Sequence, residues 1–320
     1  MKNKVMNLRK LNYAIVLLGL ISMFACKREE LIPIEQVNSL KEFYFKNQTS
    51  SQFFSVKADE YVVIKGKKGT VVKMWANSLQ HQDGRQVTGN VTIELKEVFD
   101  KGDMVKSNLP SVSNGRLLVS QGEFLISAVQ NGESLQIKPE GYIQVSIPNF
   151  SKAAGSMVFY GDSISNDSTP DPTDTIINWN PIDSTTINPY YDSIVDSTTG
   201  LMSFSFNIEG FGLIGLGYFN DNNNTTTITV TTDDVDPSNL AVCFVFRDIH
   251  ATANPTFNGV RYVSDVIPIG YAITIVATSI QNGQFYSSFQ DIIVTQDANI
   301  DIDLQPSTIA DYNQTLASIH

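Results

Sequence analysis

Alternation of apolar and polar residues at every second position restricts this chain more than any other feature. Val91-Thr-Ile-Glu-Leu-Lys96, Ile143-Gln-Val-Ser-Ile147 and Ile300-Asp-Ile-Asp-Leu304 all follow it. Successive side chains on a strand point to opposite faces, so this period builds a ribbon with one dry and one wet face. A helix needs a repeat near 3.6. Such ribbons bury their dry faces by packing two antiparallel sheets together. The turns agree: Asp83-Gly84, Asn114-Gly115, Asn131-Gly132, Asn258-Gly259 and Asn282-Gly283 lie between apolar runs. Asn-Gly and Asp-Gly accept the positive φ angles of tight hairpins. Helix signals are few. Residues 103–109 form a short stretch stopped by Pro110, residues 309–319 a tail, and Val37, Leu40 and Tyr44 a short amphipathic turn. The fold class is all-β, with two antiparallel β-sandwich modules joined by a disordered acidic linker.

A length of 320 residues suits two domains. A charged fraction of 17%, with 18 Phe and 12 Tyr, excludes a coiled coil and a largely disordered chain. Two cysteines exclude a disulfide framework, and His81, His250 and His320 are too scattered for a histidine-rich metal site. No EF-hand loop occurs either, so neither metal nor cofactor is expected. The net charge of −11 is unevenly spread. Lys2, Lys4, Arg9 and Lys10 stand in the first 25 residues without an acid, whereas residues 153–246 hold 12 acids and no base. An acidic surface repels phosphate backbones, which argues against nucleic acid as a partner.

The first thirty residues read as an address. A basic stretch ending in Arg9-Lys10 precedes the apolar run 13–25. That run is shorter than the roughly 20 residues a membrane-spanning helix needs, and has the length of a signal-peptide core. Met23-Phe24-Ala25-Cys26 resembles the lipobox of bacterial lipoproteins, with Met23 where leucine is usual. The resemblance implies cleavage before Cys26 and acylation of its thiol. Each buried CH₂ of an acyl chain contributes about 0.8 kcal/mol, so a multiply acylated cysteine is a lasting membrane anchor. Lys27, Arg28, Glu29 and Glu30 resemble the export signal of Bacteroidetes surface lipoproteins, which implies an outer-membrane location facing outward. The plain alternative is an ordinary cleaved signal followed by a chance cysteine.

Within residues 51–150, the stretches Gly66-Lys-Lys-Gly-Thr-Val-Val-Lys-Met-Trp-Ala-Asn77 and Thr88-Gly-Asn-Val-Thr-Ile-Glu-Leu-Lys-Glu97 resemble the ZU-type β-sandwich of netrin receptors and ankyrins. They are still more similar to the domain that opens many uncharacterised Bacteroidetes surface lipoproteins. Some ZU-type domains cleave themselves at a His-Ser or His-Phe-Ser step. Here His81 is followed by Gln82, and self-processing is not carried over. Ile267-Pro-Ile-Gly-Tyr-Ala-Ile-Thr-Ile-Val276 resembles the transthyretin-like fold of carboxypeptidase regulatory domains, which implies a supporting sandwich. Val242-Cys-Phe-Val-Phe246 is apolar on both faces, as in a central strand covered on either side.

Residues 162–199 are built from Asp, Ser, Thr, Asn and Pro and have few groups to bury, so the segment reads as extended and mobile. Six triplets in it resemble the acceptor of Bacteroidetes O-glycosylation, which implies modification at Ser163, Ser168, Thr175, Ser184, Ser193 and Ser197. A segment of this composition also produces such triplets by chance. The expected organisation is a signal peptide (1–25), a tether (26–50), the first sandwich (51–161), the acidic linker (162–199), a strand closing the first sandwich (200–222), the second sandwich (223–306) and a tail (307–320).

No residue set demands chemistry. Cys243, inside an apolar strand, reads as a buried inert thiol. His250 or His81 could serve a serine as base, but no Gly-x-Ser-x-Gly elbow exists to place one. Trp75 lies in a strand, where core packing is the default. Trp179 reads as an anchor onto the first sandwich or, with Tyr190 and Tyr191, as a platform for sugar rings. The expected function is that of a non-enzymatic, lipid-anchored cell-surface protein with a structural or interaction role. The partner would be a protein or a glycan. The alternative is a glycan- or nutrient-binding accessory of an outer-membrane transporter.

Overall fold

A computed structural model describes residues 37–139, 141–149, 155–165, 175–182, 202–232, 235–236 and 239–319. Among these residues it contains 22 strands and three short helices, so the chain is all-β. The first sandwich pairs a large sheet with a small one. In the large sheet β1 (Gln52–Lys57), β5 (Asn90–Val98), β7 (Arg116–Gln130), β13 (Gly212–Phe219), β10 (Met157–Ser165) and β11 (Thr175–Pro181) lie side by side. The short strands β4 (Leu79–His81), β6 (Val112–Ser113) and β8 (Glu133–Ile137) extend it. The small sheet has the order β12 (Met202–Ile208), β9 (Ile143–Asn149), β3 (Val71–Met74) and β2 (Val62–Lys65).

Alternation decides what lies between these sheets. On β5, Val91, Ile93 and Leu95 point inward; on β7, Phe124, Ile126 and Ala128 do so. Val72, Met74, Ile143, Val145, Phe206 and Ile208 meet them from the small sheet. Each such side chain contributes about 1.5–3 kcal/mol on full burial. Three of the five turn dipeptides have positive φ at both residues: Asn114-Gly115, Asn131-Gly132 and Asn282-Gly283. That is the two-residue hairpin geometry that follows the twist of the strands. Asp83-Gly84 and Asn258-Gly259 have it only at glycine and sit in longer loops.

The acidic stretch differs from its sequence reading. Asp162 to Ser165 end β10, residues 175–182 contain β11, and the two strands pair antiparallel from Phe159↔Pro181 to Ser165↔Thr175. Its described parts lie within the first sandwich rather than between the two, and β9 before them pairs with β12 after them. Ile177 and Trp179 alternate with Asn178 and Asn180, which suits a strand once β10 offers an edge. The short joint between modules is residues 220–224.

The second sandwich sets β17 (Thr256–Phe257), β18 (Tyr262–Pro268), β14 (Thr225–Thr231) and β21 (Ala298–Asp301) against a five-stranded sheet. The latter runs β16 (Thr252–Ala253), β15 (Leu240–Phe246), β19 (Ala272–Gln281), β20 (Gln284–Ile293) and β22 (Gln305–Pro306). One pairing, β14 with β21, is parallel. Every residue of β15 is buried. Leu240, Val242, Phe244 and Phe246 face the opposing sheet, and Ala241, Cys243 and Val245 face the other way.

That other face is covered by the two chain ends, which corrects the reading of residues 37–50 as tether and 307–320 as tail. Helix α1 (Leu40–Asn47) and a C-terminal helix, residues Ile309–Ala317, pack there through Leu40, Phe43, Tyr312 and Leu316. Ser39 and Thr308 cap the two helices by accepting from the N–H groups of Glu42 and Asp311. Between α1 and the C-terminal helix comes α2 (Lys101–Lys106), so the C-terminal one is α3.

The two sandwiches are also stitched along a seam. Ser111 N–H donates to the Thr252 carbonyl at 2.7 Å, and Ser120 N–H donates to that of His250 at 2.8 Å. Lys101 Nζ donates to the Phe246 carbonyl at 2.7 Å, and Leu117 enters the second core. Buried backbone groups need such partners, and each one met across the seam ties the modules together.

Candidate functional site

Val62, Met74, Ile143 and Ile208 stand in register across the small sheet, with Met74, Ile143 and Ile208 buried in the core. The residue one step beyond each strand end therefore points away from the core. On three adjacent strands that residue is aromatic: Tyr61, Trp75 and Tyr142. They are 55%, 40% and 42% exposed. Their rings form one row, with Tyr61 to Trp75 at 5.9 Å and 62° and Trp75 to Tyr142 at 5.0 Å and 61°. Edge-to-face contacts at these separations hold aromatic rings in a defined arrangement.

The backbone fixes the row. Ser78 donates to the Trp75 carbonyl through N–H at 3.3 Å and Oγ at 2.8 Å. Asn77 turns the chain at φ 62°, and its N–H reaches the Ala58 carbonyl at 2.7 Å. Gly141 N–H closes the turn before Tyr142 onto the Lys138 carbonyl at 2.9 Å. A second outward row, Val63, Lys73, Gln144 and Asn207, lies beside the rings. Scattered exposed apolar residues are ordinary, but three contiguous exposed aromatic rings are not, and this row is the candidate site.

Of the two tryptophans, Trp179 is the anchor the sequence suggested, whereas Trp75 departs from its expected core packing. Trp75 does not pack in the core. Trp179 is 1% exposed, lies against Leu118 and Phe159, and donates through Nε1 to the Pro110 carbonyl at 2.8 Å. A β-carbon on Gly215 would stand 3.0 Å from its ring. With no open face, Trp179 cannot be a sugar platform; it anchors the 107–111 segment to the large sheet. Tyr190 and Tyr191 lie outside the described residues, as do Cys26, Lys27, Arg28, Glu29, Glu30, Ser168, Ser184, Ser193 and Ser197. Ser163 and Thr175 fall on strands β10 and β11.

A second place of interest is buried. Glu123 lines a cavity of about 10 Å³ with Ser111, Ser120, Phe159 and Trp179, room for one water molecule. Burial pushes its carboxyl well above the usual carboxylate range, and Oε2 has no hydrogen-bond partner among the described residues. His250 sits in the seam with Nδ1 3.1 Å from the Ser120 carbonyl oxygen. Burial and then the neighbouring Lys101 hold it below the usual histidine range. The Cys243 thiol, also buried, is pushed up to about 12 and is unreactive at neutral pH.

Sequence reasoning missed the aromatic row. The phase of each strand was legible, since Val72 and Met74 point inward and Trp75 therefore outward. The order β2-β3-β9, which brings Tyr142 beside Trp75, is set by pairing across a long loop closure and leaves no local signal. No protein-family model matches the chain, and no curated protein matches it.

Proposed function

We propose that this chain is a non-enzymatic, lipid-anchored protein of the Bacteroidetes outer membrane, exposed at the cell surface, that binds glycans through Tyr61, Trp75 and Tyr142. The aromatic row carries this reading. Sugar rings present C–H faces that stack on aromatic faces and hydroxyls that need polar neighbours, which Gln144 and Asn207 supply. The lipobox-like Met23-Phe24-Ala25-Cys26 and the export-like Lys27-Arg28-Glu29-Glu30 after it support the anchor and its outward orientation. The unreactive setting of Cys243 and the seam role of His250 support a binding rather than a hydrolytic protein. Of the two roles the sequence suggested, structural module or glycan accessory, the exposed rings favour the second.

The test has two parts. Mass spectrometry of the native protein from purified outer membranes reads the mass at Cys26; an acylated cysteine supports the anchor, and an intact Met1 with a bare thiol refutes it. Tryptophan fluorescence of the purified mature protein against a polysaccharide panel reads binding. A response that Trp75→Ala removes supports the platform. Silence across the panel overturns it.

A further inference from the structure

Charge on the small sheet points to the class of glycan. Its four strands carry Lys65 and Lys73 and neither Asp nor Glu, in a chain with 33 acids against 22 bases. Lys73 stands in register between Val63 and Gln144, one outward row from the rings. Lys65 follows in the next outward row. Two residues along a strand span about 6.5 Å, so a charge on a stacked sugar meets Lys73 without leaving the sheet. Of the acids nearest in sequence, Glu140 lies outside the described residues, and two others are already bonded. Glu97 of β5, beneath the turn between β2 and β3, accepts from the backbone N–H groups of Lys68 and Thr70 at 2.9 Å. Glu60 is paired with Lys57 at 2.7 Å. Asp59 precedes Tyr61 by two residues, and exposed Glu209, one step past Ile208, ends the ring row beside Tyr142, two strands from Lys73.

Resting on the glycan-binding reading, we infer that the row takes an acidic oligosaccharide, whose sugars stack on Tyr61, Trp75 and Tyr142 while their carboxylates meet Lys73 and Lys65. Ring centres succeed one another at 5.9 and 5.0 Å with planes inclined by 62° and 61°, so a bound oligosaccharide turns as it follows the row. A protein partner fits less well, because the apolar surface is one short row with Val63 beside it, bordered otherwise by Lys73, Gln144 and Asn207. Nucleic acid is disfavoured by the acidity of the chain as a whole.

Calorimetric titration of the full mature protein with a galacturonic-acid oligomer and a neutral galactose oligomer of equal length tests this. The acidic oligomer should bind more tightly, and added salt should erode the difference. Lys73→Gln and Lys65→Gln should each weaken the acidic oligomer about threefold and leave the neutral one unchanged. Trp75→Ala should weaken both at least about tenfold. Both lysines are on the surface sheet, and unchanged thermal melts identify folded variants. Equal binding of the two oligomers, or lysine variants without effect, overturns the acidic preference and leaves the platform standing. If neither oligomer binds, the platform falls too.

Discussion

Gly66 and the Glu97 carboxylate approach so closely that a β-carbon at position 66 would stand 2.6 Å from all three carboxyl atoms. The glycine is there because the β2–β3 turn folds down over Glu97. Its Oε1 accepts from Thr70 N–H, and its Oε2 from Lys68 N–H and Gln52 Nε2. The Gly66-Lys-Lys-Gly69 run is thus a lid over a buried acceptor. Gly66→Ala should cost about 1–3 kcal/mol by overpacking. Glu97→Gln should cost a similar amount, about 1–3 kcal/mol, because its amide presents a donor to backbone donors. Urea unfolding reads both, and a Gly66→Ala midpoint equal to the parent's would show that the turn can lift.

The two tryptophans allow one experiment to separate binding from stability. Trp179→Ala empties a buried site and frees the Pro110 carbonyl, so it should cost about 3–5 kcal/mol. Trp75→Ala removes an exposed ring and should stay within about 0.5 kcal/mol of the parent while abolishing the glycan response. Thermal melts and fluorescence titrations of the pair check this. A large melting shift for Trp75→Ala would make that ring a packing residue.

Stability should fall on both sides of mid-range pH, for two reasons that variants can isolate. Folded His250 titrates below the usual 6.5, so between those values the unfolded chain binds more protons. Its contribution is complete above 6.5 and is lost as pH falls. Glu123 works in the opposite sense. Folded, it holds its proton well above the usual 4.5, so its contribution is complete below 4.5 and declines as pH rises. Glu123→Gln keeps the shape and removes the proton. It should raise the urea midpoint at about pH 8 while changing it little at about pH 4. A variant less stable than the parent at the higher pH would show that Glu123 is ionised in the folded chain.

Much of this fold was legible in local pattern, and the rest depended on what covers what. The strand over residues 240–246 was readable because both its faces are apolar, and Cys243 followed as a buried thiol. The hairpins were readable where Asn-Gly demands positive φ at two successive residues. The phase of β3 aims Trp75 outward, yet what lies over either tryptophan leaves no local signal. Their difference comes from Gly215 and Pro110, far away in sequence, which close over one ring and not the other. The docking of both chain ends on one sheet was equally hidden. An amphipathic turn at Val37, Leu40 and Tyr44 shows that a face exists, not which surface receives it.

That docking leads to the last prediction. Phe43 of α1 is fully buried, with ring centres 4.9 Å from Phe285 and 5.5 Å from Tyr312. Asn47 and Asn313 exchange side-chain amide bonds at 3.1 and 2.8 Å, joining the helices directly. The outer face of β15 is apolar, so neither helix can leave without exposing Ala241, Cys243 and Val245 to water. The helices should therefore open as one unit. Phe43→Ala should cost about 3–5 kcal/mol and speed hydrogen exchange in α3 as well as in α1, although the two lie at opposite ends of the sequence. It should also make the Cys243 thiol reactive toward a maleimide, a readout that simple fraying of α1 alone would leave unchanged. Acceleration confined to α1, with Cys243 still protected, would mean that α3 covers the sheet by itself and that the two ends are not coupled.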